Sequence, residues 1–298
     1  MNARPPISSG DAALAAADLL ALEPLGHDRF RAWRNQDNRT GTLFGGQPLA
    51  QALAAAGATV PDWPAHTLTG HFLRAGQLDR PIDYAVERTR DGRRYASRRV
   101  IASQDGRAIF DALCAFHDPE DGAAEHQAGA ISDGVGPAAP GPEGLLDMRE
   151  VAARNPDRLP PMMRRAFALP FPVELRIPDP TARHEPGGAI ARDFWFRVPS
   201  ASALAAPRDH HAMIAFASDY WLAATAVIPH EGYGVNSLNH SLWLHGPARA
   251  DDWLLYRASS DWAGQGRGLA QGRILDRAGR LVASTVQEIS LRRYADRA

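Results

Sequence analysis

The chain has 298 residues, enough for two domains of ordinary size, and its 45% hydrophobic and 22% charged content is globular rather than disordered. A formal net charge of -1 gives no bulk attraction to nucleic acid or to an acidic membrane. The single cysteine, Cys114, excludes an internal disulfide and a multi-thiolate metal site.

No apolar run is long enough to span a bilayer. Residues 11–22 are apolar but carry Asp11 and Asp18 and lack a basic leader, so they read as an amphipathic helix, not a signal peptide. A cytoplasmic chain is expected. A strand is predicted over Gly26–Arg34, then a polar turn-rich stretch. A helix follows within Leu43–Ala56, with Pro48 in its first turn, where proline is tolerated. Strands are predicted over His66–Leu73, Ile82–Arg90, Tyr95–Ser103 and Ala108–Phe116, with Asp-Gly turns in Arg90-Asp-Gly-Arg93 and Gln104-Asp-Gly-Arg107. Residues 1–118 therefore form a first unit, one helix and an antiparallel meander.

Residues 119–188 are rich in proline and glycine and read as a linker. One short helix near Pro161–Ala168 and a strand at Val173–Arg176 are predicted there, with no chemistry. Order returns over 189–298. A strand at Asp193–Val198 leads to a nearly all-apolar helix over Ile214–Val227, with Asp219 near its N-terminal end. Four strands follow, over Ser237–His245, Trp253–Asp261, Gly266–Leu275 and Leu281–Leu291. A carboxylate in so apolar a helix needs partners or a task. The plain alternative is that Ser218 or Asp219 caps the helix N-terminus.

The second unit repeats the first. Phe44-Gly-Gly-Gln-Pro-Leu-Ala-Gln51 lies over Phe216-Ala-Ser-Asp-Tyr-Trp-Leu-Ala223, His71-Phe-Leu-Arg74 over Leu242-Trp-Leu-His245, and Asp105-Gly-Arg-Ala-Ile109 over Ala278-Gly-Arg-Leu-Val282. The offsets are 172, 171 and 173 residues. Each unit offers one helix that a curved sheet could wrap, and a lone sheet leaves an edge to pair. The two units are expected to join edge to edge. The offset sets Gln47 opposite Asp219, His66 opposite Ser237 and Cys114 opposite Gln287, so the first unit lacks the carboxylate.

Phe44-Gly-Gly-Gln47, Phe72-Leu-Arg74, Arg90-Asp-Gly92, Ala217-Ser-Asp219, His240-Ser-Leu-Trp243 and Ala283-Ser-Thr-Val-Gln-Glu288, in this order, resemble the acyl-CoA thioesterase II family. The resemblance spans both halves and implies an α+β fold, a tandem double hot-dog. It also implies hydrolysis of acyl-CoA to a free acid and CoA by an activated water, held by an Asp, a Thr or Ser, and a Gln. These fall on Asp219, Ser237 and Gln287, while Asn239 stands where the family pattern has Asp. The residue types suit the task. A carboxylate can take a proton from water, while a hydroxyl and an amide can orient it without cofactor or metal. Backbone N–H groups at a helix N-terminus would supply donors to the thioester oxygen.

Two other classes share this pattern of residues: a non-catalytic acyl-CoA-binding protein and a hot-dog enoyl-thioester hydratase or dehydratase. The latter needs a His paired with a carboxylate, which His66 beside Gln47 does not supply. Cys114 lies in the apolar strand Phe110–Phe116, where a buried thiol is inert. His210-His211 lacks metal-ligand spacing, and Gly264-Gln-Gly-Arg-Gly268 lacks the Gly-Lys-Ser/Thr ending of a phosphate loop. The expected partner is acyl-CoA, with homo-oligomerisation open through exposed sheet edges.

Overall fold

Two meanders of alternating buried and exposed residues dominate the chain. They are β5 (Ala65–Phe72), β6 (Ile82–Asp91), β7 (Tyr95–Gln104) and β8 (Arg107–His117) in the first half. The second half has β11 (Tyr233–Leu244), β12 (Leu254–Gly264), β13 (Arg267–Leu275) and β14 (Leu281–Arg293). A period of two with one buried face is what a sheet packed on one side requires. Asp105 and Gly106, at φ 49° and 73°, make the left-handed two-residue turn that hairpins favour. The computed structural model describes residues 7–8, 13–127, 140–154, 164, 167–178 and 189–293.

Shorter strands flank the meanders: β2 (Glu23–Gly26), β3 (Arg29–Ala32), β9 (Glu174–Arg176) and β10 (Ala191–Arg197). Among the described residues they form a 12-stranded sheet in the order β2-β3-β6-β7-β8-β5-β11-β14-β13-β12-β10-β9. A separate two-stranded pair joins β1 (Ile7–Ser8) to β4 (Arg34–Asn35). The halves meet where β5 pairs antiparallel with β11, from Thr67 opposite Trp243 to His71 opposite Asn239. The expected edge-to-edge junction is therefore present, and β2 and β9, four and three residues long, are the outer strands of the large sheet among the described residues.

Helix α1 (Ala16–Leu19) falls inside the amphipathic stretch, whose first two residues lie outside the described residues. Helix α2 (Gly46–Gly57) packs its alanine-rich length against β5, β6, β7 and β8. The proline-rich stretch holds α3 (Met148–Arg154) as well as β9, and it buries Phe167, Phe171, Val173 and Leu175 in the main core. Of the short helix expected near Pro161–Ala168, Arg164, Phe167 and Ala168 are helical and the remaining residues, other than these, lie outside the described residues.

The helix expected over Ile214–Val227 is not continuous. Helix α4 (Pro207–Ser218) begins earlier, with Pro207 in its first turn, and α5 (Leu222–Thr225) follows a break. Trp221 makes that break at φ 75°, a conformation uncommon for a residue with a side chain. Its ring is held by Phe167 at 5.3 Å and by the Arg192 guanidinium at 5.0 Å. Asp219 therefore follows the C-terminus of α4 instead of opening a helix, and neither it nor Ser218 caps an N-terminus. At the repeat offset α5 is the counterpart of the middle of α2, and it touches β11, β12, β13 and β14 as α2 touches its own four strands. Helix α4 instead lies along α2.

Candidate active site

Three elements converge on Asp219. The break after α4 presents its carboxylate, β11 presents Ser237 and β14 presents Gln287. Gln287 Nε2 donates to Asp219 Oδ1 at 2.6 Å and to Ser237 Oγ at 2.8 Å. Ser237 Oγ donates to Asp219 Oδ1 at a longer 3.4 Å. Gln287 is completely buried and Asp219 is 8% exposed. The three residues singled out from the sequence are thus brought together.

The fourth partner comes from the other half of the chain. The backbone N–H of Gly46, in the first turn of α2, also donates to Asp219. Such an approach is possible only because Phe44-Gly-Gly-Gln47 carries glycines. A Cβ on Gly45 would lie 2.7 Å from Asp219 Oδ2, and one on Gly46 would lie 2.2 Å from the Phe216 carbonyl oxygen. Helix N-termini favour negative charge, so α2 supports the ionised carboxylate.

Burial is the larger influence on Asp219 and raises its pKa from 3.8 to about 6. The hydrogen bonds from Gln287, Ser237 and Gly46 work in the opposite direction. The balance leaves a carboxylate that is ionised at neutral pH and basic enough to accept a proton.

Behind the site, Ser218 Oγ lies 2.9 Å from His240 Nε2 and 2.9 Å from the Ala215 carbonyl oxygen. Tyr256 donates to the Ser218 carbonyl at 3.1 Å and lies 2.6 Å from Thr285 Oγ1, which secures the end of α4. Phe171 stacks on Tyr220 at 4.7 Å, and Arg39 donates to the Tyr220 hydroxyl at 2.7 Å. The proline-rich stretch, read from the sequence as carrying no chemistry, thus braces the residues that follow Asp219. Asn239 is turned to Glu288 across the strands at 3.1 Å, and its hydrogen bonds go there instead of to Asp219.

The strand registers correct one counterpart in the first unit. Both β5 and β11 carry an irregularity at the same place, between Ala65 and Thr67 and between Ser237 and Asn239. Ala65 opposite Phe116 matches Ser237 opposite Ile289, so Ala65 is the counterpart of Ser237, in place of His66. His66 packs beside Tyr95 and His117. Gln47 and Cys114 keep the positions assigned to them. Gln47 is fully buried and donates to the Arg34 carbonyl, Asn35 and Gln51, a structural set of bonds. Burial raises the Cys114 thiol to about 12, far from a thiolate at neutral pH.

Among the described residues, no group of three or more His, Cys, Asp or Glu is placed to hold a metal, and no helix is long and apolar enough to cross a membrane.

Residues 34–117 match the family model for the acyl-CoA thioesterase N-terminal domain, and residues 142–291 match that for the C-terminal domain. The second match begins inside the proline-rich stretch. Acyl-coenzyme A thioesterase 8 of Rattus norvegicus is 36% identical, over 94% of this chain and 90% of that protein. Acyl-CoA thioesterase 2 of Haemophilus influenzae is 33% identical, over 91% of this chain and 94% of that protein. The crystal structure of an acyl-CoA thioesterase II from Mycobacterium marinum is similar at a TM-score of 0.74 and 33% identity, covering 95% of this chain and all of that one. With both domain models matched in order and these similarities along nearly its whole length, the chain belongs to the acyl-CoA thioesterase II family.

Proposed function

We propose that the protein hydrolyses acyl-CoA thioesters to free acid and CoA, using a water activated by Asp219, Ser237 and Gln287. As a member of its family it is a thioester hydrolase. The chain reads as a tandem double hot-dog, with units at 1–118 and 189–298 and residues 119–188 between them. The observation that carries the site assignment is Gln287, buried completely and donating at once to Asp219 and Ser237. Burying polar side chains costs free energy, so their convergence at one place in a core points to a task.

Asp219 takes a proton from the water, whose oxygen attacks the thioester carbonyl carbon. The C–S bond then breaks, and the departing thiolate recovers the proton from Asp219. Ser237 and Gln287 orient the water and hold the carboxylate in place. The test is thiol release from acyl-CoA by Asp219→Asn, which removes the base while keeping the shape. Turnover is expected to fall by roughly 10²–10⁴-fold, the range for loss of a general base. Undiminished turnover would place the chemistry elsewhere.

A further inference from the structure

Because Gln287 Nε2 faces Asp219 and Ser237, its carbonyl oxygen Oε1 must point the other way. That oxygen is buried and has no hydrogen bond of normal geometry among the described residues, and the same holds for His240 Nδ1. The two residues stand directly opposite each other on β14 and β11, and both are completely buried. Burial lowers the imidazole pKa to about 3, and the neighbouring Gln287 amide works in the opposite direction to a smaller extent. His240 is therefore neutral, with one ring nitrogen donating and the other accepting.

We propose that His240 is a positioning residue for the reaction: as the Nδ1–H tautomer it donates to Gln287 Oε1 and locks the amide with its NH₂ toward Asp219 and Ser237. This rests on the site reading given above. The ionised carboxylate sets the direction of the whole row. A flipped Gln287 would set its oxygen against Asp219, so Oε1 turns inward and calls for a donor. Nδ1–H supplies it, and Nε2 must then accept. Ser218 Oγ donates to the Ala215 carbonyl oxygen at 2.9 Å, and in this tautomer its one hydroxyl hydrogen turns from that carbonyl to Nε2, also 2.9 Å away. One hydrogen-bond direction runs from Ser218 through His240 and Gln287 to Asp219.

The duplication supplies an internal control. At the three positions of Ser218, His240 and Gln287 the first unit has Gly46, Leu68 and Cys114. Leu68 pairs with Cys114 in the register in which His240 pairs with Gln287. The same strands thus form around an apolar pair, and the fold does not require the polar row. Three buried polar groups kept only in the unit with the carboxylate point to a task at that carboxylate.

The experiment pairs ¹⁵N NMR of the imidazole at neutral pH with kinetics of His240→Leu and His240→Asn. The expected wild-type signal is that of the Nδ1–H tautomer. His240→Leu should fold, because leucine occupies the matching place in the first unit. Its kcat should fall about ten-fold or more with KM unchanged, since Oε1 is left without a donor. His240→Asn, whose amide nitrogen can stand where Nδ1 stood, should recover most of the loss. An Nε2–H tautomer, wild-type kcat in His240→Leu, or equal losses in both variants overturns the proposal. If His240→Leu does not fold, the tautomer of the wild-type protein decides. Asp219→Asn is measured alongside. Full activity there removes the site reading itself, whereas loss there with unchanged kcat in His240→Leu removes only the role of His240.

Discussion

At Asp219 burial outweighs the hydrogen bonds that favour the charge, and its ionisation reports on both. Burial raises the carboxyl to about 6, so turnover at subsaturating acyl-CoA should rise with pH through about 6 and level off above it. The sign for stability is the reverse. The folded-state pKa exceeds the unfolded value, so stability is lost as pH climbs from 3.8 to about 6 and stays reduced above that. A shift of this size corresponds to roughly 3 kcal/mol. Asp219→Asn should therefore melt at a higher temperature than wild type at pH 7 and at nearly the same temperature near pH 3.5, while losing its activity. Melting curves at the two pH values, with thiol release at pH 7, check all three outcomes. Cys114 provides the contrast. With its thiol raised to about 12 by burial, Cys114→Ser should keep kcat within a few-fold of wild type, and loss of all turnover in a folded variant would restore a thiol nucleophile.

Helix α2 acts on a site built largely from the other unit, and the contact depends on a missing side chain. Gly45 has φ of -62°, a conformation open to any residue, so Gly45→Ala imposes no backbone strain of its own. Its Cβ would instead press on Asp219 Oδ2 at 2.7 Å and on Phe72 at 3.1 Å. Turnover should drop at least ten-fold, from displacement of the carboxylate and loss of the Gly46 contact. Gly106→Ala should behave oppositely, costing about 1 kcal/mol of stability through its φ of 73° while sparing kcat, since nothing lies within 4 Å of the added carbon. Denaturant melts and steady-state kinetics separate the two. These elements also show what a sequence can disclose. Strand alternation and Asp-Gly turns mark the meanders because they are local rules. The break at Trp221 has no local cause, for it rests on Phe167 and Arg192, 54 and 29 residues away along the chain. The earlier start of α4 did have a local signal in Pro207, obscured by the polar Arg208-Asp-His-His211 that follows it. Asp219, Ser237 and Gln287 could be assigned through the family resemblance. His240 could be quoted as part of a motif but not given a role, because its partner is defined only by strand register.

At the scale of the whole molecule, the duplication has kept one buried polar site and filled the other. In the first unit Ala65 and Cys114 replace the hydroxyl and the amide, and Gln47 replaces the carboxylate. From the sequence, Gln47→Glu should do little to turnover, since that unit lacks the remaining groups. The structure adds an expected cost in stability. Gln47 Nε2 donates to the Arg34 carbonyl, Asn35 and Gln51, while its Oε1 accepts the Gln36 N–H at 2.6 Å. A carboxylate there would face three acceptors with no proton to offer. Burial would drive the new group to its neutral form, which has a single donor for those acceptors. One donor hydrogen fewer in the core costs about 1–3 kcal/mol, enough to lower the melting temperature by several degrees. Turnover per folded molecule should remain near wild type, because the three residues proposed to act on the water are untouched. Asp219→Asn and Gln47→Glu are thus expected to move in opposite directions, the first gaining stability and losing turnover, the second losing stability and keeping turnover. Thermal melting and active-site-normalised thiol release on the two variants distinguish this from the alternative. If Gln47→Glu lost turnover as severely as Asp219→Asn while melting like wild type, both units would contribute chemistry, and the assignment of a single working site would fail.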